Sequence, residues 1–237
     1  MPNEILIQAK HLKKHFPMGE GRFTALDDIN LTIGRGEFTG FVGPSGSGKT
    51  TLLNIIGTLD IPSEGEAVVL GRSVGALSHR EAAGLRNEHY GFIFQTYNLL
   101  PVYTVYENVE FPLLLLKIPP EERKKAVYDA LEWVGLLDKT DSKPALLSGG
   151  ECQRVAIARA MVKKPKIVIA DEPTANLDAK NSHNILRTME NLNKELDTSF
   201  IFATHDEKVI RYLRRIITLE DGRVVDDRIM SNKEAAI

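Results

Sequence analysis

Short apolar runs separated by glycine-containing turns occupy the first 70 residues of the chain. Residues 5–7 and 31–33 are two such runs, on either side of a turn at residues 18–22, and residues 67–70 form a third. Runs of this length, bounded by turn signals, predict β-strands. We therefore expect the N-terminal region to form an antiparallel β part.

Longer periodic segments follow in the middle of the chain. Residues 120–137 repeat apolar side chains every three or four positions, which predicts an amphipathic helix with Pro120 in its first turn. A second helix is predicted from Ser148 to about residue 161. Between strand-like residues 90–94 and the first helix, we expect residues 98–112 to be irregular, because Pro101 and Pro112 break regular structure.

Apolar runs alternate with helical segments in the last third of the chain. The runs are residues 167–170, 198–203 and 216–219, and the helices are predicted at residues 179–196 and 206–213. Asp221-Gly222 then predicts a β-hairpin. Strands that alternate with helices predict an α/β fold with a parallel sheet covered on both faces.

A glycine-rich segment, GPSGSGKTT at residues 43–51, lies between a predicted buried strand and a predicted helix. The pattern G-x-x-x-x-G-K-[ST] falls on Gly43, Gly48, Lys49 and Thr50. Glycines with positive φ turn successive N–H groups inward as an anion nest, and the helix start adds its positive end. Lys49 suits the β- and γ-phosphates of a nucleotide, and the Thr50 hydroxyl suits Mg²⁺. We take the whole loop as nucleotide-binding, including Pro44, Ser45, Gly46, Ser47 and Thr51.

Two carboxylates end the apolar strand at residues 167–170. We assign Asp171 to Mg²⁺, held through its water shell, and Glu172 to the general base that takes a proton from an attacking water. A solvated acidic turn before Pro173 is the alternative interpretation. The phosphate loop upstream favours the catalytic one.

Two further positions have a structural and a functional interpretation. Ser148 with Glu151 three residues later is a capping box, and Gly149 and Gly150 at the same helix start also expose N–H groups to an anion. Taken alone, the segment indicates only a helix start.

His205 follows an apolar strand, where a histidine is more often a core or surface residue than a phosphate ligand.

Composition narrows the functional classes. The 237 residues are 43% hydrophobic and 26% charged, enough for one substantial core. A net charge of −2 gives no sign of a polyanion bound by bulk charge, and we expect no nucleic-acid partner. Cys152 is the only cysteine, so no intrachain disulfide forms. No signal-peptide pattern is present, and no apolar run reaches the ~18 residues that span a bilayer.

Taken together, these motifs resemble the nucleotide-binding subunits of ABC transporters over nearly the whole chain. GPSGSGKT matches the Walker A loop, IVIADE the Walker B strand and LSGGE the signature. Gln95 matches the Q-loop, residues 176–178 the D-loop and His205 the switch histidine. The resemblance implies a P-loop NTPase fold, with a RecA-like parallel-sheet core, an antiparallel β subdomain and an inserted α-helical subdomain. Its boundaries would be 1–97 and 162–237 for the core, and 98–161 for the helical and signature part, in one domain of residues 1–237.

The resemblance also implies roles for residues that the patterns alone leave open. Gln95 would contact Mg²⁺ or the attacking water, and His205 would be catalytic. Phe16 would stack on adenine, and Asp178 would belong to the nucleotide site. Ser148, Gly149, Gly150 and Glu151 would clamp the γ-phosphate of a second copy.

Within the family, the chain resembles the MacB and LolD branch. The supporting segments are LNIIGTLDIPSEGE (53–66), FIFQTYNLLP (92–101), ENVEFPL (107–113) and the Glu151 form of the signature. Three positions depart from the usual family pattern: Glu151 replaces Gln, Cys152 replaces a polar residue, and Phe16 replaces Tyr. A Phe ring still stacks on a base, so base selectivity is expected to be loose.

The resemblance implies an ATPase that uses ATP and Mg²⁺, and a head-to-tail homodimer formed on ATP binding. An integral membrane permease subunit would dock between Thr96 and Pro112. The chain would then be cytoplasmic and peripheral on the inner face of the cell membrane. Two alternatives stay open: a soluble ABC ATPase acting on DNA or ribosomes, and a non-hydrolysing nucleotide-dependent regulator.

Overall fold

Ten β-strands form two sheets in the computed structural model, which describes residues 4–19 and 21–230. The strands are β1 (Ile5–Met18), β2 (Gly21–Gly34), β3 (Phe38–Val42), β4 (Glu64–Val69), β5 (Arg72–Ser73), β6 (Tyr90–Phe94), β7 (Ile167–Asp171), β8 (Ser199–Thr204), β9 (Arg215–Glu220) and β10 (Arg223–Ile229). Residues 1–3, 20 and 231–237 lie outside the description, so Glu20 of the expected turn and both ends of the expected domain are not covered.

The first sheet has the order β2-β1-β4-β5 and is antiparallel. This confirms the antiparallel N-terminal part. Its first two strands have 14 residues each, far longer than the apolar runs that predicted them. The extra length has no apolar signal because the hairpin extends beyond the core, and the residues next to its turn, at the end of β1 and the start of β2, are exposed.

The second sheet has the order β10-β9-β3-β8-β7-β6. Strands β6, β7, β8, β3 and β9 are mutually parallel, and β10 returns antiparallel to β9. Asp221 and Gly222 both have positive φ, as a tight hairpin turn requires. The predicted parallel core and the predicted closing hairpin are both confirmed.

Within the described residues, seven α-helices connect the strands. They are α1 (Lys49–Ile56), α2 (His79–His89), α3 (Val105–Leu115), α4 (Pro120–Trp133), α5 (Gly149–Met161), α6 (Ala179–Leu196) and α7 (Glu207–Ile210). The amphipathic helix predicted at 120–137 ends early, because Gly135 with φ 66° leaves the helical region after Val134. The helix predicted at 206–213 is a single turn.

The expectation that residues 98–112 are irregular is wrong over their second half, where α3 forms. Thr104 and Glu107 make a complete capping box that begins the helix. The buried Asn108 amide donates to the carbonyl oxygens of Leu100, Tyr103 and Thr104, and its carbonyl accepts from the Leu100 N–H. These hydrogen bonds connect the start of the helix to the loop before it. They offset the free-energy cost of Pro112 inside the helix, where proline cannot donate a backbone hydrogen bond.

Two buried clusters lie on the two faces of the parallel sheet. One packs the antiparallel sheet and α1 onto the sheet through residues such as Leu12, Leu52 and Ile201. The other joins α3, α4 and α5 to α6 and the opposite sheet face, through residues such as Val109 and Phe202. The helices that carry the signature segment thus pack against the sheet that carries the phosphate loop. The division at residues 98 and 161 stays a prediction.

Candidate nucleotide-binding site

The sequence-predicted phosphate and carboxylate residues lie at one edge of the parallel sheet. The phosphate loop follows β3, Asp171 ends β7, and His205 follows β8. The register pairs Val42 with Thr204 and Asp171 with Ala203, so the three strands end side by side. The carboxyl edge of a parallel sheet is where open α/β folds bind ligands.

The glycines of the phosphate loop have the backbone angles expected of them. Gly43, Gly46 and Gly48 have φ of 147°, 81° and 99°. A Cβ on Gly43 would lie 2.1 Å from the Leu219 carbonyl oxygen, and one on Gly48 would lie 2.6 Å from the Ala25 carbonyl oxygen. Both positions therefore require glycine for space as well as for conformation.

Lys49 begins α1 and is 9% exposed. Its ammonium donates hydrogen bonds of 2.8 Å to the carbonyl oxygens of both Gly43 and Pro44. Burial lowers the pKa of Lys49, and the charges of Glu172 and Asp171 act in the opposite direction. The loop thus holds a partly desolvated cation on its own carbonyl groups, close to two carboxylates.

Asp171 and Glu172 sit in different environments. Burial raises the pKa of Asp171, the charge of Glu172 raises it further, and Lys49 lowers it. Glu172 has φ 46°, a left-handed conformation that costs energy for a residue with a Cβ. One of its carboxylate oxygens lies 2.6 Å from Nδ1 of His205, and the other accepts a 3.1 Å hydrogen bond from the Thr204 hydroxyl. The Glu172 carboxylate is therefore oriented by β8.

A cavity of about 330 Å³ joins these residues. It is lined by Phe23, Ala25, Ser45, Gly46, Gly48, Lys49, Thr50, Thr51, Asp171, Glu172 and His205. A lysine, loop N–H groups and a helix N-terminus suit phosphate groups. A hydroxyl and a carboxylate beside them are hard oxygen donors of the kind that holds Mg²⁺ with phosphate oxygens. The chemistry of the lining fits a magnesium–nucleotide complex.

Phe16 lies at the end of the long hairpin, outside the lining of this cavity. It pairs directly with Phe23 across β1 and β2, so both rings project from the same face of the sheet, and Phe23 lines the cavity. The Lys14 ammonium lies 5.1 Å from the centre of the Phe16 ring. Sequence reasoning missed Phe23. Pairing the residues around the Gly19–Gly21 turn would have placed it opposite Phe16.

Several predicted site residues do not reach this cavity. The Gln95 side chain is exposed after β6, and its backbone carbonyl accepts a 2.9 Å hydrogen bond from the Asn176 amide. Asp178 caps α6 through the Asn181 N–H. Ser148, Gly149, Gly150 and Glu151 lie at the start of α5, where Gly150 packs against Asn181. One chain does not bring these two groups of residues together.

The capping box at the start of α5 is complete. Ser148 Oγ accepts from the Glu151 N–H at 3.3 Å, and the Glu151 carboxylate accepts from the Ser148 N–H and hydroxyl at 2.8 Å each. These bonds lower the pKa of Glu151. The next residue, Cys152, is buried, and burial raises the pKa of its thiol. The predicted capping function is therefore present, and it occupies the atoms that the anion-binding interpretation also needs.

No helix within residues 4–19 and 21–230 combines the length and the apolar character needed to cross a membrane.

The sequence model of the ABC transporter family matches residues 26–175. The macrolide export ATP-binding/permease protein MacB of Burkholderia pseudomallei (strain 1710b) is 44% identical over 231 residues, which are 98% of this chain and 35% of that protein. The lipoprotein-releasing system ATP-binding protein LolD of Pseudoalteromonas translucida (strain TAC 125) is 43% identical over 222 residues, 94% of this chain and 96% of that protein. The chain spans about a third of the length of the MacB proteins it matches.

Solved structures that are similar to this chain are also ATP-binding cassettes or parts of ABC transporters. A dimeric post-hydrolysis state of the ATP-binding cassette MJ0796, bound to ADP and Pi, superposes with a TM-score of 0.87 at 41% identity, covering 96% of this chain and all of that one. CbiO1 of Clostridium perfringens, part of the cbiONQ ABC transporter complex, gives 0.85 at 32% identity, over 94% of this chain and 88% of that one. The predicted fold class is confirmed. The chain belongs to the ABC transporter family and carries its ATP-binding cassette.

Proposed function

We propose that the chain is the ATP-binding subunit of an ABC transporter, an ATPase that hydrolyses MgATP and drives a separate membrane subunit. The observation that carries the proposal is the cavity of about 330 Å³ at the sheet edge. It gathers a buried lysine, a hydroxyl, a half-buried carboxylate and a carboxylate held by a histidine, namely Lys49, Thr50, Asp171, Glu172 and His205. This set matches the needs of phosphate binding, metal binding and proton removal from water.

The roles follow from the contacts. Lys49 and the loop N–H groups stabilise charge on the β- and γ-phosphates. Bound Mg²⁺ would supply further charge neutralisation, and Thr50 and Asp171 are the residues that would hold it, whereas Gln95 lies outside the cavity lining. Glu172 accepts the proton of the attacking water, and its carboxylate is oriented by the Thr204 hydroxyl on one oxygen and by His205 on the other. His205, which is exposed, orients this carboxylate and reaches the γ-phosphate.

The signature residues require a second copy of the chain. Ser148 and Gly149 are exposed, and the N-terminus of α5 offers partial positive charge to an anion. In a head-to-tail pair, the start of α5 of one copy would cover the γ-phosphate bound by the other. The 41% identical cassette MJ0796 was solved as a dimer, which supports the pairing of two copies. ATP then favours the closed pair, and hydrolysis reopens it.

The membrane subunit is proposed to dock between Thr96 and Pro112. Leu100 and Val102 of this segment are 37% and 70% exposed, and Phe111 is 36% exposed. The Phe111 ring packs on Tyr103 with centroids 6.4 Å apart. Neighbouring Leu114 and Leu115 of α3 extend the same apolar surface. A surface of this kind is suited to a partner helix.

Two measurements test the proposal. Purified protein should release phosphate from ATP only with Mg²⁺, and absence of release would leave a nucleotide-dependent regulator. In cells, the tagged chain should copurify with an integral membrane protein. Leu100→Asp and Tyr103→Asp should abolish that association and spare basal hydrolysis. Leu137→Asp, at an exposed leucine outside the segment, is the matched control. Copurification with nucleic acid instead would contradict the membrane role.

A further inference from the structure

The backbone directly after β6 is strained. Tyr97 and Asn98 are consecutive residues with φ of 61° and 49°, although both carry a Cβ. A left-handed conformation is unfavourable for a residue with a Cβ, and it persists only where the surrounding contacts hold it. The two residues follow Gln95 by two and three positions. Because the segment is short, the contacts that hold Tyr97 and Asn98 also restrict the position of Gln95.

Arg159, near the C-terminal end of α5, makes the contacts that hold this segment. Its guanidinium donates to the Asn98 carbonyl at 2.5 Å and to the Tyr97 carbonyl at 2.7 Å. Burial lowers the pKa of Arg159. Within the described part of the chain no carboxylate forms an ion pair with it, so these two carbonyl groups are its polar partners. Two nitrogens of one planar guanidinium thus donate to the carbonyl oxygens of the two strained residues. A lysine ammonium cannot reproduce this bidentate geometry.

Two further contacts fix the same segment. The Asn176 amide donates to the Gln95 carbonyl at 2.9 Å. The Tyr97 hydroxyl lies at the start of α5, where a Cβ on Gly149 would be 3.0 Å from it. Residues 95–98 therefore contact α5 at both of its ends, through Tyr97 at the first turn and through Arg159 near the last.

We propose that Arg159 is a positioning residue that ties Gln95 to α5, so that Gln95 and the Ser148–Gly150 start of α5 move as one body. A helix is stiff over the roughly 16 Å between Ser148 and Arg159. If α5 moves relative to the sheet, Gln95 of the same chain then moves with it, because the two hydrogen bonds of Arg159 connect them. The inference rests on the proposed ATPase function for its effect on hydrolysis, but the tie itself is a property of the fold.

The matched variants are Arg159→Met, which keeps length and removes both donors, and Arg159→Lys, which keeps charge without the fork. Arg123→Met is the control. Arg123 is another partly buried arginine of the helical region that donates to a backbone carbonyl, that of Ile118, and it does not touch residues 95–98. Asn98→Gly serves as a rescue variant, because glycine occupies the left-handed region without strain.

The first readout is amide hydrogen exchange at residues 96–98, which needs no ATPase activity. Arg159→Met should accelerate it while exchange in β6 and β7 stays at parental rates, and Arg159→Lys should give a smaller change. Arg123→Met should leave it unaltered. Parental exchange at residues 96–98 in both Arg159 variants would overturn the proposal. If Arg159→Met does not fold, Arg159→Lys carries the same test.

The second readout is the division between kcat and nucleotide affinity. Loss of a residue that orients a metal or water contact typically costs about 10–100-fold. We expect that loss in kcat for Arg159→Met, with ATP affinity near the parental value because Lys49 and the phosphate loop are untouched. Asn98→Gly in the same chain should restore part of the rate. An equal loss in Arg123→Met, or no rescue by Asn98→Gly, would indicate a purely structural arginine.

The two proposals fail in different ways. A parent protein that binds ATP and releases no phosphate would contradict the proposed ATPase, while exchange at residues 96–98 would still decide whether Arg159 holds the segment. An active parent with unaltered exchange in the Arg159 variants would contradict the tie alone.

Discussion

The starts of α1 and α5 are both glycine-flanked helix N-termini, and they differ in what satisfies their N–H groups. Gly48 caps α1 without a side-chain hydrogen bond, and no acidic residue lies in the first turn. Ser148 caps α5 with a complete box, and the Glu151 carboxylate sits on the same turn. The first helix start is therefore open to an anion, whereas the second already holds one. An anion at α5 must share Ser148 with Glu151.

The two sites also differ in electrostatic cost. At the sheet edge, burial and Glu172 raise the pKa of Asp171, so its ionised form is disfavoured in the folded chain. At α5, hydrogen bonds from Ser148 lower the pKa of Glu151, so its ionised form is favoured. At the phosphate site, the ionised carboxylate of Asp171 therefore lowers the stability of the folded chain. At the signature residues the ionised carboxylate is already stabilised within one chain, and in the proposed pair these residues would act only on the nucleotide of the second copy.

The largest effect is expected from the cation of the open site. Lys49→Ala removes charge-assisted hydrogen bonds worth about 1.5–3 kcal/mol each, so two lost bonds weaken ATP binding by about 3–6 kcal/mol. The fold should survive, because burial already disfavours the Lys49 charge. Calorimetric titration with ATP measures the loss. Lys164→Ala, at an exposed lysine, is the control, and equal affinity in both variants would contradict the assignment.

Loss of the proposed base comes next. Glu172→Gln keeps the size of the side chain but cannot take a proton, so hydrolysis should fall by about 10²–10⁴-fold. ATP binding should not fall, because a negative charge near the γ-phosphate is removed. A closed dimer should then accumulate with MgATP in size-exclusion chromatography. Phosphate release at the parental rate would show that the base is misassigned.

The α5 site can be broken in the same background. Adding Ser148→Arg to Glu172→Gln fills the space over the γ-phosphate of the opposite copy, so the ATP-dependent dimer should disappear while each monomer still binds ATP. Chromatography with and without ATP makes the comparison, and Leu146→Arg, two positions before Ser148 and highly exposed, is the control. A dimer that survives Ser148→Arg would refute the clamp.

A smaller effect is expected at the aromatic end of the cavity. Base stacking is worth roughly 1–3 kcal/mol, so Phe16→Ala should weaken ATP binding by about that amount and Phe16→Tyr should be nearly neutral. Phe23→Ala belongs in the same titration, because Phe23 lines the cavity and Phe16 does not. Equal affinity for the parent and Phe16→Ala, with a loss in Phe23→Ala, would move the stacking role to Phe23.

The smallest effect is expected in the thermal stability of the nucleotide-free protein when Asp171 is replaced. Because the folded pKa of Asp171 is raised, its ionised form costs stability at neutral pH, and that cost is relieved as the pH falls through the raised value. Asp171→Asn should therefore increase the Tm of the nucleotide-free protein at pH 7 while weakening Mg²⁺-dependent ATP binding. Glu151→Gln preserves the capping box and should give no increase. A decrease in the Tm of Asp171→Asn would contradict this account of the sheet edge.

Local patterns were sufficient for most of the fold. The parallel strands, the hairpin at Asp221-Gly222 and the capping box at Ser148 were all predicted, because each depends on residues close together in the sequence. The helix α3 was missed although its capping box, Thr104 with Glu107, is also local, because Pro101 and Pro112 predict a break in regular structure. The hydrogen bonds of the Asn108 amide to the loop before the helix leave no mark on apolar periodicity.

The sequence by itself determined the chemistry available to the protein. The spacing of Gly43, Gly48, Lys49 and Thr50, and two carboxylates after a buried strand, specify a phosphate site through short-range backbone geometry. Only the tertiary structure decided which groups meet. It placed Glu172 on His205, brought Phe23 to the cavity wall, and set Arg159 on the carbonyl groups after Gln95. These contacts join residues more than 20 positions apart, and strand register and helix packing, which no local pattern encodes, bring them together.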